Sequence, residues 1–324
     1  MIIVKKFFLI GKNFSWKLVC VLYINKILIK FMDINSFLIQ YLYKRRDYYI
    51  ENYLLKNGYI NTVVSKDMLI VKPKKKLDNN CIWIYWAQGW ENPPEHVDFC
   101  KNSVIKNANG RRVILISDKN YDEYIYIPKY IKEKRLNGKI TVTHFSDILR
   151  FSLLADYGGL WLDASIFVNK PLQSDSLEKN FYTIRLKNDF TNNSIVSKAR
   201  WIVSCIGTRK KNYKLFVLGK NFFFNYWKNE EYLIDYFLID YFFDIILKKD
   251  KLVKQDFLEN DFSNQGIYKL SRIINSIDLD LLEKDIYQTT NIYYLSWKKK
   301  YIRYKEGKST IYNYFYSKFT NEKD

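Results

Sequence analysis

The sequence predicts an α/β protein: an open, partly parallel sheet with helices packed on it, preceded by a basic, apolar helical segment. Two stretches carry that expectation. Residues 81–118 read as strand, helix, strand, the start of a parallel sheet. Residues 144–172 read as helix, double glycine and buried strand. In addition, 48% of the 324 residues are hydrophobic, which supports a sizeable core and argues against global disorder.

Residues 1–60 mix apolar runs with Lys5, Lys6, Lys12, Lys17, Lys26, Lys30, Lys44, Arg45 and Arg46. Residues 2–10 start like a signal peptide, but lysines interrupt them and no small-residue cleavage site follows. Residues 18–32 are the most hydrophobic window, yet contain Lys26 and Lys30 and are too short to span a bilayer. Residues 35–53 space their apolar side chains helically. The expectation is a helical pair packed on the main domain, equally compatible with an interfacial module on anionic lipid. Residues 72–76, with Pro73 among lysines, read as a linker. The chain thus divides into a segment 1–75, a main domain 76–310 and a tail 311–324.

Residues 81–86 form a strand ended by Gly89, residues 97–105 a helix, and residues 112–116 a strand ending at Ser117-Asp118. Ligands of such sheets bind at the carboxyl ends of the strands, where Ala87-Gln88-Gly89 and Ser117-Asp118 fall. A loop and helix surround Pro128, and residues 140–142 suggest a short strand. Ser146 reads as the N-cap of the next helix. Asp147 and Arg150, three apart, then share a face of its first turn. Gly158 and Gly159 end this helix.

Residues 160–168 read as one buried strand, closed by Pro171. Asp163 and Ser165 point to one side beside Trp161, while Leu160, Leu162, Ala164 and Ile166 face a core. An aspartate in so apolar a strand requires a partner: a metal ion, a sugar hydroxyl or an arginine. Further on come strands at 181–186 and 201–206 around a polar loop 187–198, a basic turn 207–211 and helices at 215–227 and 233–244. Asp235 and Asp240 in the last of these read as solvated or capping charges, Asp240 alternatively as an acceptor-positioning group. Lys298, Lys299, Lys300, Arg303 and Lys305 cluster near the end.

The formal net charge of +19 favours an anionic partner: a membrane surface, a nucleoside diphosphate or an acidic glycan. No helix-turn-helix, zinc-finger or RNA-binding signature accompanies it, so nucleic acid is not expected. Four scattered cysteines and only two histidines, His96 and His144, speak against structural zinc. The cysteines read as reduced, buried residues of a cytoplasmic protein.

The run Ser146-Asp147-x-x-Arg150, followed by Leu-x-x-Tyr-Gly158-Gly159-x-Trp161-x-Asp163-Ala-Ser165, resembles the donor-sugar motif of the capsular polysaccharide synthesis proteins. These are similar to glycosyltransferase family 32, to the initiating mannosyltransferases of yeast and, more distantly, to the clostridial glucosylating toxins. The resemblance implies a GT-A-like fold. It further implies retaining transfer from a nucleotide sugar, UDP-linked, to a growing capsular or surface glycan or a lipid-linked oligosaccharide at the inner face of the membrane.

By resemblance, Asp147, Arg150 and Asp163 are catalytic. Donor contacts come from Trp86, Gln88, Ser117, Ser146, Asp147, Arg150 and Trp161, joined by Ser296, Trp297 and Lys298 where a late segment folds back. A divalent cation, Mn²⁺ or Mg²⁺, is held by Asp163 and Ser165. Ser165 departs from the usual second acidic residue, and a hydroxyl is a poorer ligand than a carboxylate. That departure keeps a catalytically silent glycan- or nucleotide-binding module in view. A toxin-like effector that glycosylates a protein is the other alternative.

Overall fold

The computed structural model describes residues 2–69, 73–173, 179–186, 194–260, 263–287 and 290–320. Residue 72 of the expected linker, most of the polar loop (187–193) and residues 321–324 of the tail lie outside the described residues.

The N-terminal segment forms three helices, not two: α1 (Ile2–Asn13), α2 (Trp16–Leu28) and α3 (Phe37–Lys56). Ser15 separates the first two because its side chain caps α2, accepting from the Leu18 amide at 3.3 Å. The later half of α3 docks on the body. Ile50 and Leu54 are fully buried in the main core, and Tyr241 donates to Asp47 at 2.8 Å. The core therefore runs without a break from these helices into the sheet domain.

Next come β1 (Cys81–Tyr85), α4 (Glu95–Lys106) and β2 (Arg112–Ile116), the expected unit, with β1 and β2 parallel and in register from Cys81↔Arg112 to Tyr85↔Ile116. Helix α5 (Lys129–Leu136) precedes α6 (Val142–Asp156). Here the structure corrects the sequence reading. Helix α6 starts at Val142, capped by Thr141, whose side chain accepts from the His144 amide at 3.2 Å. The strand suggested at 140–142 does not form, and Ser146 lies a full turn inside. The physical reason is burial. Phe145 joins Ile148 and Leu149 in the core, which extends the apolar helical face one turn further back than Ser146.

Gly158 and Gly159 end α6 with φ of +75° and +90°. A Cβ on Gly159 would stand 2.5 Å from the Cys81 carbonyl oxygen, so only glycine permits this close approach to β1. Strand β3 (Gly159–Leu162) pairs parallel with β1, placing Trp161 opposite Trp83.

The single strand expected over 160–168 is broken. After Leu162 the chain turns through Asp163, Ala164 and Ser165, closed by the Ile166 amide on the Asp163 carbonyl at 2.9 Å. It resumes as β4 (Ile166–Val168), outside the main sheet. The apolar side of the reading holds: Leu160, Leu162, Ala164 and Ile166 share one core.

Strands β5 (Tyr182–Ile184) and β6 (Ile202–Thr208) complete the sheet in the order β2-β1-β3-β6-β5, with β6 antiparallel to both neighbours. This is a mixed α/β architecture with a parallel-containing central sheet, compatible with a GT-A-like fold. Helices α7 (Lys214–Asn229), α8 (Leu238–Lys249), α9 (Lys251–Glu259) and α10 (Lys269–Ile273) follow. Helix α8 starts five residues later than expected, leaving Asp235 before it. Strand β7 (Ile292–Tyr294) pairs antiparallel with β4. The short hairpin β8 (Tyr304–Lys305) and β9 (Lys308–Ser309) leads to α11 (Ile311–Thr320). Residues 311–320, set apart above as a tail, thus form a helix whose Ile311, Tyr312 and Phe315 are buried with Phe99 and Phe167.

Both faces of the sheet are covered. Trp83 and Trp161 face a core shared with α6, α7 and α8, while Ile82, Ile84, Leu160 and Leu162 face one shared with α4. Two-sided burial is why β1 reads as continuous apolar sequence rather than as an alternating one. Among the described residues no helix is long and apolar enough to cross a membrane.

Candidate active site

The carboxyl ends of β2, β1 and β3 lie side by side because the three strands run parallel. Register therefore brings Ser117-Asp118, Tyr85-Trp86 and Asp163 to one edge of the sheet, where ligands of open α/β sheets bind. Tyr85 donates to Asp118 at 2.5 Å, and Arg135 reaches the other oxygen of that carboxylate at 3.1 Å.

Arg150 organises the site. Its side chain is almost wholly buried and spans two aspartates. One terminal nitrogen donates to Asp147 Oδ1 at 2.5 Å and the other to Asp163 Oδ1 at 2.9 Å. The second nitrogen also reaches Ser146 Oγ at 3.4 Å. The guanidinium lies 4.9 Å from the Trp161 ring, and the Trp161 indole N–H donates to the same Asp163 oxygen at 2.7 Å. Burial works against the charge of Arg150, but Asp163 and Asp147 outweigh it and its pKa lies above the usual value. Arg150 is one of the three partners that the sequence offers Asp163.

Several supporting residues were missed in the sequence. His144 Nε2 accepts from the Trp227 indole at 2.8 Å, and its Nδ1 lies 3.6 Å from Asp147 Oδ2. A chain of polar contacts thus links Trp227 on α7 to Asp147, Arg150 and Asp163. The spacing of His144 and Asp147, three apart on one helix, was the available signal. Tyr236, more than half exposed, feels the charges of Asp147, Asp163 and Arg150, and nothing in its local pattern distinguishes it. Tyr294, after burial, is raised in pKa by the charge of Asp163 and lowered by a hydrogen bond to Ser165.

The other expected residues fall as follows. The Leu295 amide donates to the Ser165 carbonyl at 2.8 Å, which brings this residue of the late segment against the turn after β3. Ser296, Trp297 and Lys298 follow at once; Trp297 and Lys298 are exposed, with the ammonium 5.6 Å from the indole ring. Trp86 is half-buried against the α4-side core and Gln88 is exposed. Ser117 is buried, and its amide and hydroxyl both meet Asn120 Oδ1, at 2.8 and 3.4 Å, which ties it into a turn.

As to a metal, the donor set is small. Among the described residues no three His, Cys, Asp or Glu converge to hold an ion. Both hydrogen bonds described for the Asp163 side chain fall on Oδ1, and Ser165 lies two residues on. One carboxylate and one hydroxyl are oxygen donors of the kind a divalent ion takes, but too few to cage one within the protein.

Asp240 is buried, not solvated as expected, and accepts from the Trp201 indole at 2.6 Å. Burial lifts its carboxyl from 3.8 to about 7; the Trp201 bond and Arg150 oppose the rise, while Asp147 and Asp235 add to it. A folded pKa above the unfolded one means that the folded state holds the proton more tightly. This contribution is fully present below about pH 4 and is lost as pH rises through 7. Asp240→Asn, which keeps an acceptor oxygen for Trp201, should therefore flatten the fall in stability between pH 5 and pH 8.5. Urea denaturation at both pH values checks it; equal slopes for the two proteins would contradict the assignment.

Sequence comparison adds relatives. The chain is similar to the O-glycosyltransferase PaGT of Phomopsis amygdali, 32% identical over 115 residues, covering 32% of this chain and 27% of that protein. It is similar to the glycosyltransferase afumC of Aspergillus fumigatus, 22% identical over 120 residues, with 34% and 31% covered. It is also similar to the O-glycosyltransferase braB of Annulohypoxylon truncatum, 24% identical over 96 residues, with 27% and 23% covered. The matched part spans less than a third of each relative. The family match is far broader, running over residues 31–315 and so taking in every helix and strand of the site. With most of its length matched, the chain belongs to the capsular polysaccharide synthesis protein family.

Proposed function

We propose that the protein is a glycosyltransferase that moves a sugar from a UDP-type nucleotide sugar, with retention, to a growing capsular or surface glycan. The observation that carries this reading is the buried Arg150 fork holding Asp163 at the carboxyl edge of the parallel strands. The family match and the names of the relatives support it.

Departure of a nucleoside diphosphate builds negative charge on its phosphate oxygens, so catalysis requires positive charge held there in advance. A divalent ion held by Asp163 and Ser165 would supply such charge when bound. Arg150 orients Asp163 by taking one of its oxygens. Because both terminal nitrogens of Arg150 are engaged by aspartates, its part is to position Asp163, with Asp147 holding Arg150 in turn. Trp161 fixes the same carboxylate from the other side. Lys298, three residues after Leu295, whose amide bonds the Ser165 carbonyl, is suited to the diphosphate. In the resembling retaining enzymes the departing phosphate takes the acceptor's proton, so no separate base is needed. The acceptor is a glycan or a lipid-linked oligosaccharide at the inner leaflet.

Incubation of the purified protein with a panel of nucleotide sugars, with and without a glycan acceptor, tests the proposal through released nucleotide. Binding of a nucleotide sugar with no release under any condition favours the silent binding module instead. The metal part has its own test. Ser165→Asp should tighten Mn²⁺ binding in calorimetry in the presence of UDP, because a second carboxylate replaces a hydroxyl. Unchanged affinity would remove Ser165 from the ion's surroundings.

A further inference from the structure

We infer that the corner joining α2 to α3 is a lipid-inserting edge that seats the protein on an anionic bilayer surface. This deepens, and rests on, the reading of the protein as one that works at a membrane. Soluble proteins scatter exposed apolar side chains singly, whereas a contiguous group marks an interaction surface. Here Phe31 is 80% and Phe37 87% exposed, and Ile27, Ile29, Ile34 and Leu38 around them are each at least 40% exposed. All six lie within twelve residues of sequence, at one end of the α2–α3 hairpin.

The rest of α3 shows which of its faces is held. Its polar ties to the body begin at Arg46, which donates to the Ser194 carbonyl at 2.8 Å, and continue through Asp47, Glu51 and Tyr53, while Ile39, Leu42 and Tyr43 bury the opposite face of its first half. Phe37 precedes Arg46 by nine helical residues, about 14 Å of helix at 1.5 Å per residue. Phe37 and Leu38 thus face outward at the start of a helix whose other face is buried from Ile39 on.

Charge chooses the occupant. Between residues 24 and 45 stand Lys26, Lys30, Lys44 and Arg45, with Asp33 the one acid. Aromatic and aliphatic tips flanked by basic residues match the boundary between acyl chains and anionic headgroups. Each such cation near an anionic leaflet strengthens binding about fivefold. A symmetric contact with a second copy would set the same cations against one another. No helix of the described residues is able to cross the bilayer, so the edge enters only the interface.

Removing residues 1–60 is a poor test, because it would strip Ile50, Leu54 and Tyr59 from the main core. The full chain and two surface variants serve better: Phe31→Ser with Phe37→Ser, and Lys26→Glu with Lys30→Glu. Each is sedimented with phosphatidylcholine vesicles with and without 30% phosphatidylglycerol, at 50 and 500 mM salt, alongside a thermal melt, a mass in solution and a nucleotide-release assay with soluble acceptor. The native chain should bind the anionic vesicles and weaken with salt. The phenylalanine variant should bind about tenfold more weakly or worse at both salts, and the lysine variant should lose most of its binding at low salt. Both should melt and release nucleotide like the native chain.

Equal vesicle binding by the phenylalanine variant overturns the inference. So does equal binding to neutral vesicles, or a dimer that the phenylalanine variant dissolves in a protein that ignores lipid. Vesicle binding without nucleotide release would instead sink the transferase reading and leave this one standing.

Discussion

Asp163→Asn is expected to lower turnover by about 10²–10³-fold in a protein that still folds. That is the usual cost of losing one pre-positioned charge contact. The structure explains why folding should survive. The Asp163 side chain is about a third exposed, and Arg150 keeps its bond to Asp147 when Asp163 is neutralised. The amide also retains an oxygen for the Trp161 indole. What disappears is the negative charge at the end of β3, the only acid between Gly158 and Pro171. Nucleotide release under single-turnover conditions, together with a melt, checks this. Near-native turnover in the folded variant would move the chemistry away from Asp163.

Arg150→Lys should be more damaging, because it strikes both stability and turnover. A guanidinium is a planar fork whose two nitrogens serve two carboxylates at once; an ammonium is a point charge. Lysine at 150 is able to satisfy Asp147 or Asp163 but not both in the same geometry. Asp147 is 94% buried, so leaving it without its partner resembles breaking a buried ion pair, which costs about 3–5 kcal/mol. The expected results are a clear drop in the denaturation midpoint and turnover reduced at least as far as in Asp163→Asn. Restoring the melt with a stabilising background while turnover stays low would separate the two effects. A variant with native midpoint and native turnover would show that the fork has no role.

Much of this was readable in the sequence, for identifiable reasons. The β1–α4–β2 unit and the double-glycine stop at 158–159 are local: strand periodicity, helix length and the backbone freedom of glycine are all encoded within a few neighbours. Asp147, Arg150 and Asp163 were legible through spacing and through the cost of a charge in apolar surroundings. The break after Leu162 was not. An apolar run continues past it, and only pairing of β4 with β7, more than a hundred residues away, reveals two strands. The cap at Thr141 was hidden because Ser146 is an equally good capping residue, and tertiary burial of Phe145 decided between them. Tyr236 and Tyr294 reach the site through folding alone, whereas His144 was signalled only by its spacing from Asp147. Asp240 was misread because a carboxylate in a helix is usually solvated, whereas here the Trp201 indole gives it an interior partner.

The pairing of β4 with β7 has a consequence for how the protein is made. Ile166 lies opposite Tyr294, and the Leu295 amide bonds back to Ser165. The bracket around Asp163 is thus closed by residues that leave the ribosome about 130 positions after it, at 5–20 residues per second some 7–26 seconds later. During that interval a nascent chain already holds Arg150 and both of its aspartates but lacks Tyr294, Ser296 and Lys298. The site is therefore complete only late in synthesis, and a chain cut short before residue 292 would carry its acidic half without the closing strand.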